Sequence, residues 1–141
     1  MKHEVDGRRE IASRNTAWAN IIARKLTGWG ITPNQISIMS VFFALAGCLL
    51  LTGTVIYPDF NKYVAYILFI VCMQSRLLCN LFDGMVAIEG GKKSANGDLY
   101  NDMPDRFADA LFIIPVGYVA GGFGIELGWL AALLAVMTAY F

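Results

Sequence analysis

The feature that most constrains this chain is an uncharged stretch of 21 residues, SIMSVFFALAGCLLLTGTVIY, at positions 37–57. At about 1.5 Å per residue, a helix of that length crosses the roughly 30 Å hydrocarbon layer of a bilayer. The rest of the chain has a matching composition, because 57% of the 141 residues are hydrophobic and only 16% are charged. We therefore predict an all-α, polytopic helical membrane protein without a sheet.

Three more apolar segments follow this first span. They predict transmembrane helices at residues 63–88, at 97–121 and from 127 onward. The fourth is 15 residues long, lacks a flanking charge and ends on Phe141, so we expect further spans beyond this sequence. We predict one membrane domain over residues 1–141.

The segment NTAWANIIARKLTGWG, before the first span, has the pattern of an amphipathic helix. Its larger apolar residues recur at helical spacing: Trp18, Ile22, Leu26 and Trp29. This pattern predicts a helix in the headgroup layer, within a cytoplasmic segment at 1–35 that precedes the membrane helices at 36–141. A helix packed on its own protein is the alternative. We expect Asn34 or Ser37 to cap the first span.

The distribution of basic residues predicts the orientation in the membrane. Six lie before the first span, one lies in the first loop, and Lys92, Lys93 and Arg106 lie in or near the second. The N-terminus and the second loop should therefore face the cytoplasm, in a cytoplasmic or inner membrane, with lipids as partners. Eleven basic residues balance eleven acidic ones, and we expect no nucleic-acid partner.

The acidic residues are concentrated in one stretch, NLFDGMVAIEGGKKSANGDLYNDMPD, at positions 80–105. Arg76, Asn80 and Asp83 share one face of the second predicted span. Asn101 and Asp105 share a face of the next helix, with further acids on an adjoining stripe at Asp98, Asp102 and Asp109.

If these two faces meet, their carboxylates need a cation between them, and oxygen ligands suit Mg²⁺ or Mn²⁺. Gly84 and Gly97 would leave room for a phosphorylated substrate beside the backbone. The alternative is that the acids form the solvated ends of two spans, with lysines and arginine as counterions. Polar residues inside a span favour the functional interpretation.

The spacing from Asn80 to Asp105 resembles the signature of the CDP-alcohol phosphotransferase family, D-x-x-D-G-x-x-A-R-x8-G-x-x-x-D-x-x-x-D. This chain has N-x-x-D-G-x-x-A-I-x8-G-x-x-x-N-x-x-x-D, so every spacing is kept while Asn80, Asn101 and Ile88 replace two aspartates and the arginine. The TPNQIS entry to the first span and the interfacial helix also fit. The family usually has six spans, which implies that the last two and part of the fourth lie beyond this sequence.

The resemblance implies an enzyme of phospholipid biosynthesis that transfers a phospho-alcohol from a CDP-linked donor to a small alcohol acceptor, releasing CMP. Matched by position, Asn80, Asp83 and Asn101 would bind the divalent metal and Asp105 would be the general base. Asp105 and Asp102 are further candidate metal ligands. Candidates for the nucleotide and its diphosphate are Gly84, Ala87, Gly97, Arg76, Lys92 and Lys93. A homodimer is also common in the family.

Each asparagine offers an oxygen but removes a negative charge from the metal site. Asp98 and Asp102 can replace two charges, and Arg76 or the two lysines can replace the cation that Ile88 does not provide. Because the spacing survives and only ligand character changes, an active or altered-specificity transferase is favoured over a catalytically impaired relic with a structural or regulatory role.

The UbiA-type prenyltransferases are a second candidate enzyme class. The segment YNDMPDRFAD, at 100–109 of this chain, somewhat resembles one of their acidic motifs. Those enzymes bind prenyl diphosphate through Mg²⁺ and place two such motifs far apart in the chain. Here both acidic groups lie within 30 residues. The phosphotransferase interpretation is therefore the better match, although the acceptor alcohol stays open.

Overall fold

The computed structural model describes residues 16–57, 59–89 and 97–138, with side chains described except at 89 and 97–103. Every regular element in these ranges is a helix, which confirms the predicted all-α class for this part of the chain. The helices are α1 (Ala17–Gly28), α2 (Pro33–Ile56), α3 (Lys62–Glu89), α4 (Gly97–Ala120) and α5 (Gly124–Met137). The last four match the predicted spans to within a few residues at each end.

Two of these helices, α2 and α3, are long and apolar enough to cross a membrane, and α5 is apolar but shorter. Only 33% of the most apolar stretch of α2 and 17% of that of α3 are buried inside the protein. An apolar helix in the core of a soluble protein would instead be mostly buried. The exposed apolar faces of α2 and α3 therefore favour a lipid environment.

The start of α2 differs from the prediction, because Thr32 caps the helix rather than Asn34 or Ser37. The Thr32 hydroxyl accepts a hydrogen bond from the Gln35 backbone at 3.3 Å, and the Gln35 side chain accepts one from the Thr32 backbone at 2.9 Å. Pro33 then fits the first helical position, which needs no N–H donor. As a result, Ser37 lies inside the helix.

Helix α1 packs on α3, with two alanines at the most buried part of the contact. Ala19 and Ala23 are fully buried in a cluster with Met85 and Val86 of α3. Leu26 is partly buried against the same cluster, and the ring of Trp18 contacts Phe82 of α3 edge to face with centroids 6.2 Å apart. Ile21 and Ile22 of α1, and Trp29 directly after it, are exposed. Helix α1 therefore packs on its own protein through its alanines, Leu26 and one edge of Trp18, while other large apolar side chains stay exposed.

Helices α2, α3 and α4 meet in an aromatic layer at Gly47. The rings of Phe69 and Phe112 lie edge to face with centroids 5.5 Å apart. A Cβ atom on Gly47 would lie 2.7 Å from Phe112, so α2 approaches the aromatic pair closely because this position has no side chain. Buried Ala44 and Ala108 continue the same core toward the start of α4.

Helix α5 turns back along α4 through Gly121 and Gly122, whose positive φ angles of 69° and 51° favour glycine. The two helices then make backbone contact. A Cβ atom on Gly117 would lie 2.6 Å from the carbonyl oxygen of Gly124 and 3.0 Å from the Cα atom of Gly128. Small residues of this kind allow close helix packing in membranes.

Gly117→Ala should destabilise the protein because the added methyl group meets backbone atoms, which cannot rotate away. Overpacking of this kind costs about 1–3 kcal/mol, more than the roughly 1 kcal/mol that alanine gains over glycine inside a helix. Thermal unfolding of the detergent-solubilised protein, followed by circular dichroism, measures the change. Gly28→Ala is the matched control, since no described atom lies within 4 Å of its Cβ position. A Gly117→Ala protein that melts with the control would contradict this account of the α4 and α5 contact.

Candidate functional site

A buried arginine joins α3 to the first half of α4. Arg76 is 8% exposed, and its Nη2 atom lies 2.8 Å from Oδ1 of Asp109. The same nitrogen lies 3.6 Å from Oδ1 of Asp105 and donates a hydrogen bond to the Asp105 carbonyl oxygen at 3.2 Å. Arg106 lies on the other side of Asp109, with Nη1 3.8 Å from its Oδ2 atom. Two guanidinium groups therefore face two carboxylates.

One turn along α3 from Arg76, the predicted polar faces meet. The Asn80 Nδ2 atom donates a hydrogen bond to Oδ2 of Asp105 at 3.1 Å. The other oxygen of each side chain, Oδ1 in both residues, is buried and has no hydrogen-bond partner among the described residues. Arg76 Nη2 is an ion-pair neighbour of the Asp105 Oδ1 atom at 3.6 Å but lies beyond hydrogen-bonding distance, and the Nε atoms of Arg76 and Arg106 are also buried without a described partner. A water molecule, a cation or another donor can satisfy the two oxygens.

Asp83 lies one turn beyond Asn80 and is also buried, with 8% exposure. Its Oδ2 atom accepts a hydrogen bond from the Ser37 hydroxyl of α2 at 3.3 Å. Thus Asn80 reaches α4, whereas Asp83 is bonded to α2. The candidate site lies where the three helices meet.

Ser40, another residue of α2, was not predicted as part of this region. Its side chain is fully buried, and its hydroxyl has no hydrogen-bond partner in the described part of the chain. Helices α2 and α4 run in the same direction and are in contact at Gly47 and Phe112. Ser40 precedes Gly47 by seven residues, and Asp105 precedes Phe112 by seven residues. Ser40 therefore lies near the level of Asp105. Two serines three positions apart in an apolar span were the available sequence signal.

The remaining predicted site residues differ in how far the structure describes them. Gly84 is buried and Ala87 is partly buried on α3, and Ile88 is 55% exposed. Gly97 begins α4. Asn101 and Asp102 follow in the same helix, but their side chains lie outside the described part, as does that of Asp98. Lys92 and Lys93 lie outside the described residues altogether.

The oxygen atoms of the site are suited to bind a hard cation, since amide and carboxylate oxygens are the ligands that Mg²⁺ and Mn²⁺ prefer. The buried Oδ1 atoms of Asn80 and Asp105 are the observation that supports this fit. No group of three or more His, Cys, Asp or Glu residues in the described ranges is placed to hold a metal ion. Among the described residues, a metal site would therefore need asparagine oxygens as well as carboxylates.

Comparison of the chain with protein-family models, with curated proteins and with solved structures finds no match. Its function must therefore be inferred from the residues of the site. Those residues combine a buried arginine, the three carboxylates of Asp83, Asp105 and Asp109, and amide and hydroxyl oxygens without a described hydrogen-bond partner. They lie where three helices meet.

Arg76→Gln should destabilise the protein because it leaves Asp105 and Asp109 facing each other with Arg106 as the one counterion among the described residues. We expect a loss of about 2 kcal/mol, below the range for fully buried pairs because both aspartates are partly exposed. Thermal unfolding measures it. Lys62→Gln, an exposed position at the start of α3, is the control. Equal melting of the two variants would mean that the Arg76 network does not stabilise the fold.

Proposed function

We propose that this chain is an integral membrane transferase of phospholipid biosynthesis, which moves a phospho-alcohol group from a CDP-alcohol to a hydroxyl acceptor and releases CMP. The observation that carries the proposal is the 3.1 Å bond between Asn80 and Asp105, with the second oxygen of each buried and without a hydrogen-bond partner among the described residues. The nearest described cation, Arg76 Nη2, is 3.6 Å from that oxygen of Asp105. Asn80 and Asp105 are the first and last positions of the motif. The kept motif spacing supports the same chemistry.

In this proposal Asp105 is the general base. Asn80 donates to one carboxylate oxygen and so fixes the orientation of the group, which leaves Oδ1 for the acceptor hydroxyl. The acceptor oxygen attacks the phosphorus that carries the alcohol, and a new P–O bond forms there. The P–O bond to CMP breaks, CMP leaves with the electron pair, and the hydroxyl proton passes to Asp105.

A divalent ion, Mg²⁺ or Mn²⁺, would neutralise charge on the diphosphate of the donor. The proposed ligands are Asn80, Asp83 and Asp105, together with Asn101 and Asp102. Gly84, Ala87 and Gly97 would lie beside the nucleotide. The buried Arg76 is directed to Asp109 and Asp105, so we assign contact with the diphosphate to Lys92 and Lys93 instead.

We further propose that α2 to α5 lie in a cytoplasmic-type membrane, with α1 in the headgroup layer and the site on the cytoplasmic side. Two observations support this arrangement. The apolar faces of α2 and α3 are largely exposed, as lipid-facing helices require. Helix α1 packs on Met85 and Val86, at the same end of α3 as Asn80 and Asp83.

Metal-dependent CMP release from a CDP-alcohol, measured with a panel of acceptors, tests the function. Asp105→Asn should lower the rate by at least about a hundredfold, since it removes the general base. Asp83→Ala should abolish release, because it removes a buried oxygen ligand of the proposed metal site. Asn80→Asp should lower the Mg²⁺ or Mn²⁺ concentration needed for half-maximal rate, because it adds an anion beside the cation.

Asp59→Asn, in the exposed turn before α3, is the control and should behave as the wild type. Wild-type activity in Asp83→Ala, or a metal requirement that Asn80→Asp leaves unchanged, would refute the proposed site. A folded wild type that releases no CMP would favour a relic. Turnover of a prenyl diphosphate instead would favour the prenyltransferase alternative.

The proposed orientation predicts which residues a membrane-impermeant maleimide labels from each side. In a background with Cys48, Cys72 and Cys79 replaced by serine, Gly28→Cys should react from the cytoplasmic side. Asp59→Cys should react only from the opposite side, since one span separates the two positions. Labelling of both from the same side of sealed vesicles would show that α2 does not cross the membrane.

A further inference from the structure

The buried guanidinium of Arg76 lies near two carboxylates, and it is closer to one of them than to the other. Its Nη2 atom lies 2.8 Å from Asp109 Oδ1 and 3.6 Å from Asp105 Oδ1. Only the first is a hydrogen-bonding distance. Arg76 is thus the direct ion-pair partner of Asp109, although it also donates to the backbone carbonyl of Asp105.

We propose that Asp109 is a positioning residue, which holds the charge of Arg76 away from the Asp105 carboxylate so that Asp105 stays available to a divalent cation and to the acceptor hydroxyl. This role rests on the proposed function. Asp109 itself is placed between two cations, because Arg106 Nη1 lies 3.8 Å from its other oxygen. That arrangement favours the carboxylate orientation that engages Arg76.

The alternative pairing is close at hand. The bond from Arg76 to the Asp105 carbonyl keeps the guanidinium beside that residue, so a small rotation would bring it to the Asp105 carboxylate. Coulomb attraction would favour that move if Asp109 lost its charge, since a buried guanidinium needs a counterion. Asp105 would then be paired with an arginine, and a divalent cation nearby would be repelled.

A stability cycle tests the shared pairing without metal. Asp105→Asn and Asp109→Asn should each lower the melting temperature modestly, because the other carboxylate still pairs with Arg76. The double variant should lose more than the sum of the two, since Arg76 then has neither carboxylate. Glu126→Gln, at an exposed position on α5, controls for loss of one acidic charge. Additive losses in the cycle would overturn the proposal.

Direct Mn²⁺ binding, measured as free Mn²⁺ by electron paramagnetic resonance, tests the effect on the metal. Asp109→Asn should weaken binding by about tenfold, equivalent to about 1.4 kcal/mol. Asp109→Glu should retain wild-type affinity, because it keeps the charge that pairs with Arg76. The double variant Arg76→Gln with Asp109→Asn should recover affinity, because the guanidinium that competes for Asp105 is gone.

The outcomes separate this role from the proposed function. A wild type that binds Mn²⁺ and an Asp109→Asn variant of equal affinity would overturn the role of Asp109 alone. Weakened binding that is not restored in the double variant would show that Asp109 acts on the metal without Arg76, which also overturns the proposal. A wild type that binds no Mn²⁺ would overturn the metal chemistry and this role together.

Discussion

The buried positive charge of Arg76 is the constraint on which the rest of the site depends. Withdrawing a guanidinium from water costs several kcal/mol unless carboxylates surround it, and those carboxylates come from α4. Asp109 and Asp105 meet that need at successive turns, and Asn80 bonds Asp105 one turn along α3. The register of α3 against α4 is therefore fixed by polar contacts, and the position of Asp105 is fixed with it.

Small residues bring the third helix to the same place. Gly47 and Ala44 allow α2 to approach the Phe69 and Phe112 layer, and the same face of α2 continues to Ser40 and Ser37. In a bilayer, apolar side chains gain little by leaving lipid for protein, so close packing and polar contacts are what associate helices. The face of α2 that permits close approach is thus also the face that brings hydroxyl groups to the acids.

The sequence predicted the helices well because the physical requirement is simple. A long uncharged run must satisfy its backbone within a helix, and its length can be counted. The meeting of Asn80 with Asp105 was also predictable, since spacings of three and four residues define a helix face. The membrane crossings themselves are supported by length and exposure for α2 and α3, and those of α4 and α5 stay predictions.

The partner of Arg76 could not be predicted in the same way. Sequence spacing placed Arg76 on one face of its helix with Asn80 and Asp83, and the family resemblance made it a candidate for the diphosphate. In the structure it pairs across to Asp109 on α4. That choice depends on interhelical register and on side-chain rotamers, which a single sequence does not determine. Ser40 was missed for a related reason, because only the packing of α2 against α4 brings it to the level of Asp105.

The position at which α1 packs on α3 has a consequence for how an amphipathic substrate would bind. Asn80 precedes Val86, which packs under α1, by six residues, or about 9 Å along the helix axis. If α1 lies among the headgroups, the acids sit just beneath that plane, at the boundary between two solvents. A lipid-linked nucleotide could then keep its acyl tails in the bilayer and its base in water while its phosphates meet the protein, so binding would not require extraction from the membrane.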